Sequence, residues 1–399
     1  MNRSPWRSLA LLAIAEFLGM SLWFAPNAVA AELQLRWGLT SSELGWLTAA
    51  VQVGFVAGTA ASAVLNLADL LPSRVYFATC SLCAALVNAT LLLIPGYPLA
   101  LVARFGTGFF LAGVYPPAMK MVATWFRERR GLAIGVLIAS LTVGKALPYL
   151  VRAFDASFAQ VLIATSIGAL TAAVLVLFFY SDGPWPFPRL PFSWSLALTV
   201  LRHRPTRLAT GGYLGHMWEL YAMWTWIPVF LAASVTASGG HESSMALNLA
   251  AFLAIAAGGA GCIWGGWVAG RWGYGRTVTV AMALSGATAL GIGLVFGMSF
   301  WIVVLIVTFW GFFIVADSAQ FSAMITEVTP PHAVGTALTL QTSLGFLLTM
   351  VTIQLVPAFA EHHGWRWAFA MLALGPVLGI AAIRQLKATV PGSGAPRPS

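Results

Sequence analysis

The sequence carries very little charge. Only 8% of its 399 residues are Asp, Glu, Lys or Arg, whereas 59% are hydrophobic. Soluble globular proteins have about 25% charged residues, so this chain cannot cover its outer surface with polar groups. Its outside must therefore face lipid, and we expect a membrane protein that has the lipid bilayer as its main partner.

Acidic residues are scarcer than basic ones. There are 12 Asp and Glu residues against 21 Lys and Arg residues, which gives a formal net charge of +9. Such a balance can indicate a nucleic-acid partner, but here the basic residues lie in short loops between apolar runs. No basic stripe with interleaved aromatic residues occurs, and we therefore expect no nucleic-acid partner.

The common motifs of enzymes and metal sites are absent from the sequence. It contains no G-x-x-x-x-G-K-[ST] loop, no H-E-x-x-H and no G-x-S-x-G. Cys80 and Cys83 form a C-x-x-C in an apolar segment, but no further ligand lies nearby, and a zinc site needs about four. We expect no enzyme activity, no cofactor and no metal site.

What the sequence does contain is a series of twelve apolar runs of membrane-spanning length. The first run begins after basic residues, contains Glu16 and lacks a small-residue cleavage site, so we interpret it as a span and not as a signal peptide. The predicted spans are 8–31, 44–65, 74–94, 99–124, 131–152, 157–180, 208–233, 244–270, 276–296, 300–326, 334–358 and 366–386.

The loops and linkers predict the topology. Far more loop Arg and Lys residues fall on one side of the predicted membrane than on the other. We therefore expect an inner-membrane protein with both termini in the cytoplasm. A proline-rich break and an amphipathic segment, whose basic end faces lipid headgroups, separate two groups of six spans. We predict a bundle over 1–180, a cytoplasmic linker over 181–207, a second bundle over 208–388 and a disordered cytoplasmic tail over 389–399.

The two halves repeat at a spacing of about 202 residues. The fourth span contains "GFFLAG" from Gly108, and the tenth contains "GFFIVA" from Gly311. Pro26 of the first span matches Pro228 of the seventh. A repeat of six helices is the architecture of transporters that work by alternating access.

Two loop motifs strengthen this interpretation. "LNLADLLPSR" contains Asp69 and Arg74, "GWVAGRWGYGR" contains Arg271 and Arg276, and the two lie at equivalent places in the halves. With "RFGTG" at 104–108, they make the chain resemble the major facilitator superfamily. The resemblance implies an all-α membrane protein of twelve transmembrane helices in two pseudo-symmetric six-helix bundles. It also implies that the four loop residues act in gating. We expect a monomer.

Basic residues inside the predicted spans all lie in the first half. Lys145 either faces substrate, where its natural partner is a carboxylate or a small inorganic anion, or snorkels to the outer surface. Arg104 either contacts substrate or anchors carbonyl groups of neighbouring helices. Lys120 either contacts substrate or snorkels to the cytoplasmic exit.

Acidic residues inside the spans lie mainly in the second half. Glu219 and His216 are three residues apart and so share one helix face. A buried carboxyl can hold and release a proton, which makes Glu219 the main candidate for proton coupling. The alternatives are a structural hydrogen bond or a His–Glu metal site. Asp317 and Glu16 are further candidates for protonation, for pairing with a Lys, or for a structural role.

The positions suggest a division of labour, with anion binding in the first half and protonation in the second. Trp218, Tyr221 and Gln341 are predicted to complete the substrate site. We expect a proton-coupled secondary transporter of a small organic anion. Two alternatives are a proton-linked exporter of hydrophobic or cationic drugs and a non-transporting membrane sensor or scaffold.

Overall fold

The computed structural model describes residues 4–126, 129–185 and 193–389. Every regular element in these ranges is helical, as the sequence predicts, and no strand occurs among them. The α-helices of the first half are α1 Pro5–Gly19, α2 Ala25–Ala28, α3 Ala30–Trp37, α4 Ser41–Val64, α5 Leu67–Leu70, α6 Ser73–Thr90, α7 Tyr97–Leu111, α8 Tyr115–Ala123, α9 Arg130–Ala153 and α10 Phe158–Phe179.

The second half is also helical and has longer uninterrupted elements. Its α-helices are α11 Trp194–Arg202, α12 Arg204–Ala237, α13 Ser244–Trp272, α14 Tyr274–Gly291, α15 Phe300–Val315, α16 Ser318–Val328, α17 Val334–His363 and α18 Leu374–Thr389. Short 3₁₀ segments cover Met20–Leu22, Ile292–Leu294, Pro331–Ala333, Trp365–Trp367 and Ala370–Ala373.

Two compact units make up the chain. Unit 1 comprises Met1–Arg189 with Glu242–Ala256, and unit 2 comprises Leu190–His241 with Ala257–Ser399. Helix α13 is therefore divided between them. Of the predicted linker, residues 186–192 lie outside the described residues, as does nearly all of the predicted tail.

Ten helices in the described ranges are long and apolar enough to cross a membrane. Two further segments complete the twelve that the sequence predicts. The first segment is broken into α1, a 3₁₀ turn and α2, and α6 is short and carries the polar residues Arg74 and Asn88. The segments therefore match the predicted spans in number and order.

Two spans are broken at repeat-related positions. Helix α7 ends at Leu111 and α8 begins at Tyr115, while α15 ends at Val315 and α16 begins at Ser318. Each break falls at the end of the repeated Gly-Phe-Phe motif. The spans predicted over 99–124 and 300–326 are found as the candidate membrane spans Tyr97–Ala123 and Phe300–Val328, and each contains a helix break. The second break leaves Asp317 at the N-cap position of α16 instead of inside a helix.

Within each unit, a pair of glycines permits close contact between two helices, and the two pairs lie at equivalent places. Gly54 and Gly58 lie where α4 crosses α7, and Gly261 and Gly265 lie where α13 crosses the end of α15. A Cβ atom on any of the four would overlap a backbone carbonyl of the facing segment. Small residues permit such close helix contact in membranes, so the repeat in sequence is also a repeat in packing.

The outer surface is apolar, as lipid requires. Helix α10 shows this clearly, because it buries Val161 and Val176 on one side and exposes Ile167, Val174 and Phe178 on the other. A helix that is apolar all round is expected in a bilayer and not at a water-exposed surface.

Candidate functional site

The first polar cluster lies in unit 1 around the indole ring of Trp23. The Nζ atom of Lys145 lies 4.2 Å from the centroid of this ring. Lys145 is only 2% exposed, and the fully buried carboxyl of Glu16 interacts with it electrostatically. A buried cation is stable only with compensating partners. Here the aromatic face and the carboxyl supply them.

Close packing of α1 and α9 brings the Glu16 and Lys145 side chains into one region. A Cβ atom added to Gly144 would overlap the backbone carbonyl of Phe17, so the two helices touch at this point. Pro148 lies one turn further along α9 and has no N–H, which leaves the Gly144 carbonyl without its α-helical donor. The local sequence "GKALP" thus provides both the contact and a backbone acceptor.

Arg104 is completely buried in unit 1. All the hydrogen bonds described for it go to backbone carbonyl groups. Its Nη1 atom donates to the Leu22 carbonyl at 3.0 Å, Nη2 donates to the Trp23 carbonyl, and Nε donates to the Leu47 carbonyl at 3.4 Å. These carbonyls belong to the interrupted end of the first segment and to α4. The contacts support the anchoring alternative for Arg104, which fixes the backbone that carries Trp23.

Lys120 lies on a different helix from Arg104 and Lys145. It is half-buried in α8, beyond the break that ends α7. Its assignment to substrate binding stays a prediction.

The second polar cluster lies in unit 2 around Glu219. The indole N–H of Trp310 donates to Oε1 at 2.6 Å, and the hydroxyl of Ser285 donates to Oε2 at 2.9 Å. All three side chains are buried. Glu219 therefore has one neutral donor on each carboxyl oxygen, supplied by α15 and α14.

Ser285 can serve both protonation states of Glu219. Its Oγ atom also lies 3.3 Å from the Met282 carbonyl, to which it can donate. When Glu219 is ionised, the Ser285 hydroxyl donates to the carboxylate. When Glu219 is protonated, its O–H can donate to Oγ while the hydroxyl proton turns to Met282, because a hydroxyl is both donor and acceptor. Trp310 donates only, so Oε1 is always an acceptor.

A second acid, Asp317, lies beside His216 in unit 2. The Nδ1 atom of His216 is 2.9 Å from Oδ1 of Asp317, and both residues are at most 3% exposed. The other ring nitrogen lies 3.1 Å from the Ser318 hydroxyl. Asp317 also interacts electrostatically with Glu219. The helix break at Asp317 thus places an acid next to the His216 face of α12.

The remaining residues predicted to bind substrate are packed within unit 2. Trp218 is half-buried and its indole N–H donates to the Met371 carbonyl at 3.3 Å. Tyr221 is buried, with its ring 5.3 Å from the ring of Phe346. Gln341 is 1% exposed, and its Oε1 atom accepts no hydrogen bond in the described structure.

The predicted gating residues lie at the helix ends. Arg74 is exposed at the start of α6, and the side chain of Asp69 lies outside the described residues. Arg271 and Arg276 are exposed, and their guanidinium groups lie 3.8 Å and 5.3 Å from the rings of Trp267 and Trp272.

Several residues of these clusters were not identified from the sequence. Trp23, Trp310 and Ser285 contact the predicted ionisable groups, and Asn27 and Tyr149 lie close to Trp23 and Lys145 in the chain. Ser285 interrupts an apolar run and Trp310 immediately precedes the repeated motif, so both gave a signal. Trp23 gave none, because one Trp among 17 does not stand out.

The chemistry available in these clusters is proton exchange and ion pairing. The described residues contain no group of three or more His, Cys, Asp or Glu side chains that could hold a metal ion. Unit 1 offers a cation balanced by a carboxyl, and unit 2 offers carboxyls balanced by neutral donors and a histidine.

Comparisons with known proteins identify the family and the fold. The family model of the Major Facilitator Superfamily matches residues 9–352. Among solved structures, the chain is similar to a bacterial homolog of the human lysosomal transporter Spinster, crystallised in an inward-facing and occupied conformation. The TM-score is 0.74, the sequences are 14% identical, and the match covers 100% of both chains. No curated protein matches the sequence.

At this level of identity the solved structure shows the fold alone, and the family model supplies the membership. The all-helical architecture, the twelve segments and the repeated glycine contacts all fit that fold. The chain is a multi-pass membrane protein that belongs to the Major Facilitator Superfamily of secondary transporters.

Proposed function

We propose that this chain moves a small organic anion of the carboxylate type across the inner membrane by alternating access, coupled to protons. The observation that carries the proposal is the buried ammonium of Lys145 beside the ring of Trp23, with the buried carboxyl of Glu16 close enough to interact with it electrostatically. A lone buried ammonium would be an anion receptor, but this one already has a carboxyl near it. An arriving carboxylate must therefore compete with Glu16.

This competition provides a coupling mechanism. If the substrate carboxylate takes the place of Glu16 next to Lys145, two negative charges share one buried positive charge. That imbalance is costly in a medium of low dielectric constant, and it is removed when Glu16 takes up a proton. Anion and proton then bind together, and Glu16 releases the proton when the anion leaves.

Glu219 has a different role in this proposal. No Lys or Arg contact is described for it, so the charge on its carboxyl does not depend on the anion. Ser285 and Trp310 can accommodate both of its protonation states. We assign to Glu219, with His216 and Asp317 beside it, the proton that drives unit 2 through the transport cycle. The energy comes from different affinities for protons in the two end states.

The two alternatives are less compatible with these contacts. A binding site for cationic drugs requires carboxyls that are available to a cation, but both oxygens of Glu219 already accept hydrogen bonds and Asp317 lies against His216. A sensor or scaffold has no need of an ion pair in the membrane interior, which is costly to maintain. Cytoplasmic termini, an inner-membrane location and a monomeric state remain parts of the proposal.

Transport assays in proteoliposomes test the proposal. We expect a carboxylate to accumulate when the outside is acidic, and a pH-sensitive dye inside the liposomes should report acidification that depends on this substrate. Carboxylate uptake that does not depend on the pH gradient would contradict proton coupling. Efflux of amphipathic cations without any carboxylate flux would favour the exporter, and no flux of either kind would favour the sensor or scaffold.

A further inference from the structure

The cluster around Trp23 contains buried polar atoms that have no hydrogen-bond partner in the described structure. Both amide atoms of Gln52 are in this state, as are Oδ1 of Asn27, the hydroxyl of Tyr149 and both carboxyl oxygens of Glu16. Gln52 is fully buried and Tyr149 is 1% exposed. Buried polar atoms are nearly always paired in folded proteins, so several unpaired ones in one region require an explanation.

The contacts between helices place these atoms on the surfaces that meet at Trp23. Thr48, Gln52 and Phe55 follow one another along a single face of α4, at spacings of four and three residues. Thr48 accepts a hydrogen bond from Nδ2 of Asn27 at 2.8 Å, and the ring of Phe55 lies 5.3 Å from the ring of Trp23. Gln52 lies between these two contacts.

The third surface comes from α9. Lys145 contacts the ring of Trp23, and Tyr149 lies one helical turn further along the same face. The cluster thus combines one cation, one acid that can be neutralised, and neutral groups that can donate or accept hydrogen bonds. Gln52 offers both a donor and an acceptor, and so does the Tyr149 hydroxyl.

We infer that the substrate is a hydroxylated carboxylate, whose carboxyl group pairs with Lys145 and whose hydroxyl groups bind Gln52, Asn27 and Tyr149. This inference rests on the proposed function, since it names the class of anion that the Lys145 site takes. A simple carboxylate of the same length satisfies Lys145 but leaves the neutral polar groups unpaired. Hydroxyl groups match them, because each hydroxyl can donate and accept. The groups are covered in this structure, and a transporter opens its site in only part of its cycle.

Matched pairs of acids test this class directly. The probes are gluconate against hexanoate and glycerate against propionate, added singly to the purified protein while its thermal unfolding is followed. A bound ligand raises the unfolding temperature by mass action. We expect each hydroxylated acid to bind at least about tenfold more tightly than its deoxy partner, because a site built for hydroxyl groups discriminates strongly against analogues that lack them.

A variant tests whether Gln52 is responsible for the preference for hydroxylated acids. Gln52→Leu should reduce the preference for gluconate over hexanoate by about tenfold while hexanoate binding stays close to that of the wild type. Gln320→Leu serves as the matched control, since it removes a buried glutamine of unit 2 with an unpaired Oε1 atom. It should leave the preference unchanged. The unfolding temperature without ligand shows that each variant is folded.

The outcomes separate this inference from the proposed function. Equal binding of gluconate and hexanoate, or equal losses of both in Gln52→Leu, would overturn the hydroxylated class while the carboxylate transporter stands. Binding of organic amines without binding of any acid would overturn both, as would a panel in which no carboxylate stabilises the protein.

Discussion

Buried charge is balanced differently in the two units. In unit 1 the cation of Lys145 is set against the carboxyl of Glu16, and several neutral polar atoms nearby have no hydrogen-bond partner in the described structure. In unit 2 the carboxyl of Glu219 has a neutral donor on each oxygen, and Asp317 has His216. This difference supports the proposed roles, with substrate binding in unit 1 and proton exchange in unit 2.

Among the changes that test this difference between the units, removal of the Lys145 charge should have the largest effect on transport. Lys145→Met keeps the length and apolar stem of the side chain and deletes its charge, so a substrate carboxylate would enter the membrane interior unpaired. We expect carboxylate uptake to fall more than about a hundredfold, measured as the initial rate in proteoliposomes. Lys145→Arg is the matched control and should retain part of the uptake. Normal uptake by Lys145→Met would remove the anion site from unit 1.

The next effect concerns coupling in unit 2. Glu219→Gln preserves an acceptor for Trp310 and supplies an N–H that can donate to Ser285, so it mimics the protonated acid. We expect the accumulation driven by a pH gradient to fall by about tenfold or more, while exchange of labelled for unlabelled substrate continues. A variant that still accumulates substrate as the wild type does would show that Glu219 has only a structural role.

Arg104 should matter for stability more than for coupling. Arg104→Lys cannot reach three carbonyls from one ammonium group, and buried acceptors lose their donor. We expect a loss of about 3 kcal/mol in the free energy of unfolding, measured by denaturation in detergent. Arg152→Lys is a control in the same unit, because Arg152 pairs with Glu32 at 2.6 Å near the surface. That change should cost under about 1 kcal/mol. Equal losses in the two variants would contradict the anchoring role.

The smallest effect is expected at a donor of Glu219. Trp310→Phe removes the indole N–H that reaches Oε1 and keeps an aromatic ring near Phe369, which lies 5.1 Å from Trp310 between ring centroids. The net contribution of one hydrogen bond is typically about 1 kcal/mol, which corresponds to about a fivefold change. Proton-driven accumulation should fall by this factor, and binding of the anion should not change. A loss of anion binding in Trp310→Phe would erase the distinction between the units.

The sequence predicted the fold because membrane spans are specified by composition. Long apolar runs, basic loops and a repeated motif are local signals, and each can be recognised without knowledge of the packing. The helix breaks after Leu111 and Val315 were missed, because "GFFLAG" and "GFFIVA" continue the apolar run. Apolar character does not reveal where hydrogen bonding along the backbone is interrupted.

Of the residues in the two polar clusters, only the ionisable ones were identified from the sequence. Lys145, Glu16 and Glu219 are conspicuous because charge inside a span is costly. Their partners are not, since Trp23, Ser285 and Trp310 are ordinary residues of membrane helices and come from distant parts of the chain. The asymmetry of charge between the halves suggested a division of labour. It did not identify Lys145 as the Lys that interacts with Glu16, because that interaction depends on how closely α1 approaches α9 at Gly144.

The uptake of protons when the anion binds tests the central claim most directly. Purified protein in weakly buffered detergent solution, with a pH-sensitive dye, is mixed with a carboxylate that stabilises it. We expect proton uptake by the wild type and by Glu219→Gln, and none by Glu16→Gln, which should still bind the anion. Proton uptake by Glu16→Gln equal to that of the wild type would contradict the claim that the anion and Glu16 compete for Lys145.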